Sequence, residues 1–263
     1  MINVQSFHDG REGKMNSRRQ FLKIGGLAVV GSSLFLYSCE EEGISDEEIN
    51  ALDAKGVDNK RVFNLGTGDL AILNYAYVLE QLEAAFYANV VIGESLSFAA
   101  EPGDYQLFYD IYQHELIHRD FFKVVLNSIA APGRVAPDLE FVFSSVDFND
   151  RGVVLEFSRI LEDTGVQAYN GAGNLIENPT YLLLAGKIVS VEARHASAIR
   201  DLIGGNTDYD NFADEDITVG LTLGDILFPE AFDDAVDPRQ ILEAVAGTGF
   251  LKTKIIANNV PTN

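Results

Sequence analysis

The chain has 263 residues, 47% of them hydrophobic, which suffices for one core of ordinary size with an extension, or for two small ones. Its 19 basic residues against 40 acidic ones leave a net charge of −21, a surface that repels phosphate and excludes nucleic acid as a partner. A single cysteine, Cys39, rules out an internal disulfide and any cysteine-rich zinc site, while most of the carboxylates are expected on solvated faces.

The N-terminal stretch reads as an address. From Met15, the more natural start, the sequence runs Ser17-Arg18-Arg19-Gln20-Phe21-Leu22-Lys23, which resembles the twin-arginine export motif. A mostly apolar run follows that is too short to span a membrane and ends at Leu36-Tyr37-Ser38-Cys39. This end resembles a lipobox, although Tyr37 is bulkier than the residue usual there. Residues 1–38 are therefore expected to be a signal segment outside the fold, and Cys39 the lipidated residue of a membrane-anchored lipoprotein. Export by the twin-arginine route, which carries proteins already folded, places the chain in the periplasm or cell envelope.

Residues 39–66, opening with Glu40-Glu41-Glu42-Gly43, read as an acidic tether. Helical periodicity then predicts four long helices, over about 68–92, 104–130, 147–173 and 179–202, with Pro179 as a first-turn residue and Gly204-Gly205 as the stop. Short links join the first helix to the second and the third to the fourth, as in antiparallel hairpins. Residues 131–146 form a longer link containing Pro132, Pro137 and the apolar Phe141-Val142-Phe143. Extended, it reaches about 50 Å, more than the roughly 39 Å length of such a helix. The expected fold is all-α: a four-helix bundle over 67–205 with one long crossover. Residues 206–263 form a mixed C-terminal extension, polar and Asp-rich at first, with one short helix over about Pro238–Lys252. It is expected to pack on the bundle, where a homodimer contact is one arrangement it allows.

The chemistry lies in a repeated pattern. Of four histidines, His8, His114, His118 and His195, two lie three residues after a glutamate: Glu115–His118 and Glu192–His195. Residues at that spacing share a helix face, so a carboxylate and an imidazole can reach one metal ion. Phe108, Ile111, Phe122, Val125 and Ile129 continue the face of the first pair; Ala185, Ile188, Ile199 and Leu202 continue that of the second. Both pairs thus interrupt apolar, core-facing stripes, where unpartnered polar groups cost several kcal/mol each. His114 falls on another face and is read as a surface residue. In the first helix Glu80 precedes Tyr87 by seven residues, and in the third Glu162 precedes Tyr169 by seven. Each hairpin repeats one plan of Glu, Tyr and Glu-x-x-His, which predicts a pseudo-twofold bundle with the site on its axis.

These residues resemble the ferritin-like superfamily of di-metal carboxylate proteins, and more narrowly its exported bacterial ferritin-like domain proteins. The resemblance covers about 68–204. It implies Glu80, Glu115, His118, Glu162, Glu192 and His195 as ligands of two metal ions, with Glu115 and Glu192 bridging. Tyr87 and Tyr169 would donate hydrogen bonds to ligands from outside the metal shell. Glu83, one turn from Glu80 and matched by Gly165 in the third helix, is either an extra ligand or a carboxylate at the way in. Four carboxylates with two imidazoles suit iron or manganese, and without cations they would repel one another. The superfamily's reactions use dioxygen or peroxide, which implies an oxidoreductase acting on peroxide, dioxygen or ferrous iron. With one cysteine the chain has no rubredoxin-like iron centre, and a lipid anchor is at odds with a closed storage cage. The competing reading is a non-catalytic metal-binding or structural envelope lipoprotein.

Overall fold

Periodic apolar faces separated by Pro, Gly and Asp punctuation produce four long helices in the computed structural model, which describes residues 62–92, 102–204, 222–223, 226–227 and 233–262. The signal segment 1–38, Cys39, the tether as far as residue 61 and the polar stretch after residue 205, apart from two short strands, lie outside the described residues. The described elements are β1 (Val62–Asn64), α1 (Gly68–Val91), α2 (Pro102–Ile129), α3 (Arg151–Gly173), α4 (Pro179–Gly204), β2 (Thr222–Leu223), β3 (Ile226–Leu227), α5 (Pro238–Thr248) and β4 (Lys254–Ile256). The fold is the all-α bundle expected from the sequence. No described helix is long and apolar enough to cross a membrane.

Helix α1 packs along α2, and α3 along α4; lighter contacts of α1 with α3 and of α2 with α4 close the bundle. Helix α1 is buried on nearly every side, from Ala71 through Val91. The crossover accounts for its outer side. Buried Asn74 accepts from the Ala136 amide at 2.9 Å and donates to the Arg134 and Leu65 carbonyls at 2.9 and 3.1 Å. Further along, Gln81 donates to the Pro137 carbonyl and accepts from the Leu139 amide. Near the end of α1, Phe86 meets Phe143 and Phe148 edge-on or tilted. The link therefore runs along α1 from its first turns to its last, and α3 begins at the same end of the bundle as α2. Fully buried Phe86, Phe108, Leu126 and Ile199 anchor the core, each contributing about 1.5–3 kcal/mol through burial.

Helix α3 starts four residues later than its periodicity suggested. The Asp150 side chain accepts from the Gly152 and Val153 amides and caps the first turn, and Asp147 turns the chain just before it. The extension closes back over the bundle. Strand β4 pairs in parallel with β1, Val62 facing Lys254, and so ties the chain's entry into the bundle to its exit. Phe141 bridges Leu251, flanked by backbone bonds between Val142 and Phe250 and between Lys252 and Glu140. Helix α5 opens on an Asp237 cap followed by Pro238 and ends on Gly249 at φ 70°, a left-handed cap that suits glycine.

Candidate metal centre

Each of the four bundle helices sends a glutamate to one buried point. Glu80 comes from α1, Glu115 from α2, Glu162 from α3 and Glu192 from α4, none more than 1% exposed, with His118 and His195 at 8% and 5%. Two overlapping groups result, Glu80–Glu115–His118–Glu192 and Glu115–Glu162–Glu192–His195, each with its ligand atoms within 4.8 Å of one another. Glu115 and Glu192 belong to both. The structure thus brings together all six residues singled out from the sequence.

The approaches cross between α2 and α4. His118 Nδ1 lies 2.8 Å from Glu192 Oε1 and 3.4 Å from Glu80 Oε2; His195 Nδ1 lies 2.9 Å from Glu115 Oε1 and 3.4 Å from Glu162 Oε2. Contact distance is not hydrogen-bond geometry, and both Nδ1 atoms lack a hydrogen-bond partner, as do Glu80 Oε2, Glu162 Oε2 and all four carboxylate oxygens of Glu115 and Glu192. Buried polar atoms in such number are a severe cost if nothing satisfies them. They converge as lone pairs on common points, an arrangement suited to metal ions.

Outside this cluster stand two tyrosines in reciprocal positions. Tyr87 on α1 donates to Glu162 Oε1 on α3 at 2.5 Å, and Tyr169 on α3 donates to Glu80 Oε1 on α1. Each tyrosine therefore serves the carboxylate of the opposite helix, as an antiparallel pair related by a pseudo-twofold axis requires. Burial, reinforced by the Glu162 and Glu80 charges, raises both phenols well above their usual range, so they stay protonated donors. Phe108 lies against the Tyr87 ring and Phe122 stacks on Tyr169, covering each pair with apolar surface.

Electrostatics without cations is lopsided. Burial pushes the Glu80, Glu115 and Glu162 carboxyls upward, the neighbouring Glu192 charge adding to it. Burial also opposes charge on His118, but the carboxylates of Glu115, Glu192 and Glu80 outweigh it and push the imidazole up to about 12. Glu192 goes the other way: burial would raise it, yet the two imidazoles beside it hold it down at about 2. The metal-free cluster is thus held together by protons at sites where metal ions could replace them.

Glu83 is buried at 4% exposure but belongs to neither group. Its carboxyl occupies the space opposite Gly165, where a Cβ would come within 2.9 Å of Glu83 Oε1. Burial first, and then the charges of Glu115, Glu192, Glu80 and Glu162, push its carboxyl well above the usual range. His114, expected on the surface, also reaches the centre: it is exposed, yet its Nδ1 lies 2.8 Å from His195 Nε2. Its place beside Glu115 in the sequence was visible, but its contact with α4 depends on how the two helices pack.

Fold and site together define a helical bundle with a buried carboxylate–imidazole centre that could hold metal ions. The family model of the ferritin-like domain matches residues 68–205, more than half of the chain, and the chain belongs to this family. No curated protein matches the chain in a similarity search.

Proposed function

We propose that the chain is an exported di-metal oxidoreductase of the cell envelope, binding two iron or manganese ions and acting on peroxide, dioxygen or ferrous iron. The observation that carries this reading is the pair of overlapping ligand groups that share Glu115 and Glu192. In it, Glu80 and His118 would hold one ion and Glu162 and His195 the other, with Glu115 and Glu192 within reach of both. Bound there, the pair supplies redox equivalents for the oxygen or peroxide chemistry of the centre. The chain's own part is positioning: Tyr87 and Tyr169 fix the rotamers of Glu162 and Glu80, and Phe108 and Phe122 keep water from the back of the site. Glu83 stands beside the cluster as a further carboxyl, either an added ligand or the group through which ions and protons pass.

Metal content decides the matter. The purified chain, produced with iron and manganese both available, is expected to carry about two ions per molecule by mass spectrometry. A folded Glu115→Ala/His118→Ala variant is expected to retain less than a tenth of that. Absence of metal from the wild type, with its helix content intact, would overturn the reading. Mixing the reduced, metal-loaded chain with peroxide or oxygen in a stopped-flow spectrometer separates an oxidoreductase, whose absorption changes within seconds, from a non-catalytic metal protein, whose absorption stays flat.

The envelope part rests on Arg18-Arg19, the apolar run and Cys39. Cys39→Ala is expected to move the chain from the membrane fraction to the soluble one, and Arg18→Lys/Arg19→Lys to leave it in the cytoplasm. Membrane attachment that survives Cys39→Ala would remove the lipid anchor from the proposal.

A further inference from the structure

We infer that His114 is a positioning residue for one half of the centre only, so that the two metal sites are inequivalent although the six ligands follow a pseudo-twofold plan; this rests on the metal-binding reading above. His195 presents Nδ1 to Glu115, Glu162 and Glu192, which leaves Nε2 on the far side of the ring. An imidazole whose Nδ1 serves a cation carries its hydrogen on Nε2, and that N–H needs an acceptor to fix the ring's tautomer and orientation. His114 Nδ1 stands at 2.8 Å, and the two rings lie nearly parallel, 20° apart with centroids separated by 5.1 Å. Accepting there places the hydrogen of His114 on its own Nε2.

The pseudo-twofold plan makes the asymmetry readable. His114 directly precedes Glu115 of the first Glu-x-x-His pair; the residue directly preceding Glu192 of the second is Val191, an aliphatic side chain that can accept nothing. The ligand backed by an imidazole is therefore His195, and no mate of His114 backs His118. His114 reaches across from α2 to α4, so it also couples the aim of the His195 ring to the packing of those two helices. Losing such a partner commonly costs 10- to 100-fold in metal affinity. Here that loss falls on the site built from Glu162 and His195.

Cobalt(II) titration of the full-length chain tests this, with binding followed calorimetrically and through the visible ligand-field bands. The wild type is expected to take up two equivalents. His114→Ala and His114→Phe are expected to weaken one of the two sites by about 10- to 100-fold and to shift only that site's bands, leaving the other unchanged. The phenylalanine keeps a ring to stack but has no acceptor. His114→Asn is expected to behave as wild type, because its amide oxygen can take the place of Nδ1. Wild-type binding in the Ala and Phe variants, equal weakening of both sites, or rescue by Phe and not by Asn would overturn the inference and leave the di-metal reading standing. Failure of the wild type to bind cobalt would overturn both.

Discussion

Without metal, the chain is expected to lose stability as the pH rises from about 5 to about 8; with divalent cations bound as proposed, it is expected to gain stability over the same interval. The first half follows from the direction of the shifts. Glu80, Glu83, Glu115 and Glu162 are all raised by burial. In the folded, metal-free chain these carboxyls hold protons that the unfolded chain releases above the ordinary carboxylate value, so their contribution falls as pH climbs through that window. His118 adds to the trend: pushed up to about 12, it contributes stability that is complete below the ordinary imidazole value and is lost as pH rises through the shifted one. His195 is raised as well, by the carboxylates of Glu162, Glu115 and Glu192, which outweigh its burial. Among the four glutamates and two histidines of the cluster Glu192 alone is lowered, to about 2, and its contribution is lost only as pH falls towards that value, well below the interval. His114, lowered by burial and by the neighbouring His195 and His118, opposes the trend as one group against six. Each proton retained by the fold over three pH units costs about 4 kcal/mol.

Cations bound at the cluster would reverse the sign. Ligand carboxylates and imidazoles must shed their protons to bind, so affinity rises with pH. Each ion present at a thousand times its dissociation constant adds about 4 kcal/mol to the unfolding free energy. Thermal unfolding with chelator and with manganese(II), at three pH values, checks the crossing. Two parallel pH dependences would mean that the buried cluster is not where the metal binds. Glu83→Gln sharpens the test. The amide is nearly isosteric with the protonated carboxyl, so the metal-free chain is expected to lose about one proton's worth of pH slope while its fold persists.

Much of this centre was legible because its geometry repeats within one helix. The i, i+3 spacing of Glu115–His118 and of Glu192–His195, each inside an apolar stripe, needs only the helical repeat to be read. The spacing from Glu80 to Tyr87 likewise placed both on one face. It could not tell that Tyr87 serves Glu162 on α3 while Tyr169 serves Glu80 on α1, because that choice belongs to the antiparallel packing of two helices. His114 was hidden for the same reason: its own helix gives an exposed position, and only the approach of α4 supplies its partner. Helix ends were blurred where a cap decides them, as at Asp150. The parallel pairing of β1 with β4 joins residues on opposite sides of the whole bundle in sequence, and three-residue strands carry too little alternation to announce themselves. Gly165 could be matched to Glu83 by counting along two helices, but the space it leaves for that carboxyl appears only once α1 and α3 are packed.

Gly171→Ala is expected to cost about 1–3 kcal/mol and to loosen the extension before the bundle. Gly171 lies on α3 where residues 233–237 cross it, and a Cβ there would sit 1.8 Å from the Val236 carbonyl oxygen and 2.6 Å from its carbon. Both obstacles are backbone, so no rotamer change relieves the clash; either the helix or the crossing segment has to move. The segment is the weaker partner. It is held by the Val236 amide donating to the Gln167 carbonyl and by Asn170 donating to the Asp234 carbonyl, at 3.1 and 3.2 Å. Displacing it also pulls on α5, whose Ile241, Leu242 and Val245 are buried. A gain of alanine helix propensity at position 171 offsets at most about 1 kcal/mol. Because Tyr169 lies two residues away and donates to Glu80, strain at 171 reaches the centre only through α3. Hydrogen exchange separates the two levels: amides of 236–248 are expected to lose protection first in Gly171→Ala, while those around Glu115 and Glu192 keep theirs. Equal loss in both regions would mean that the extension and the bundle unfold as one unit, and unchanged protection at 236–248 would mean that the crossing at Gly171 is looser than its 1.8 Å approach implies.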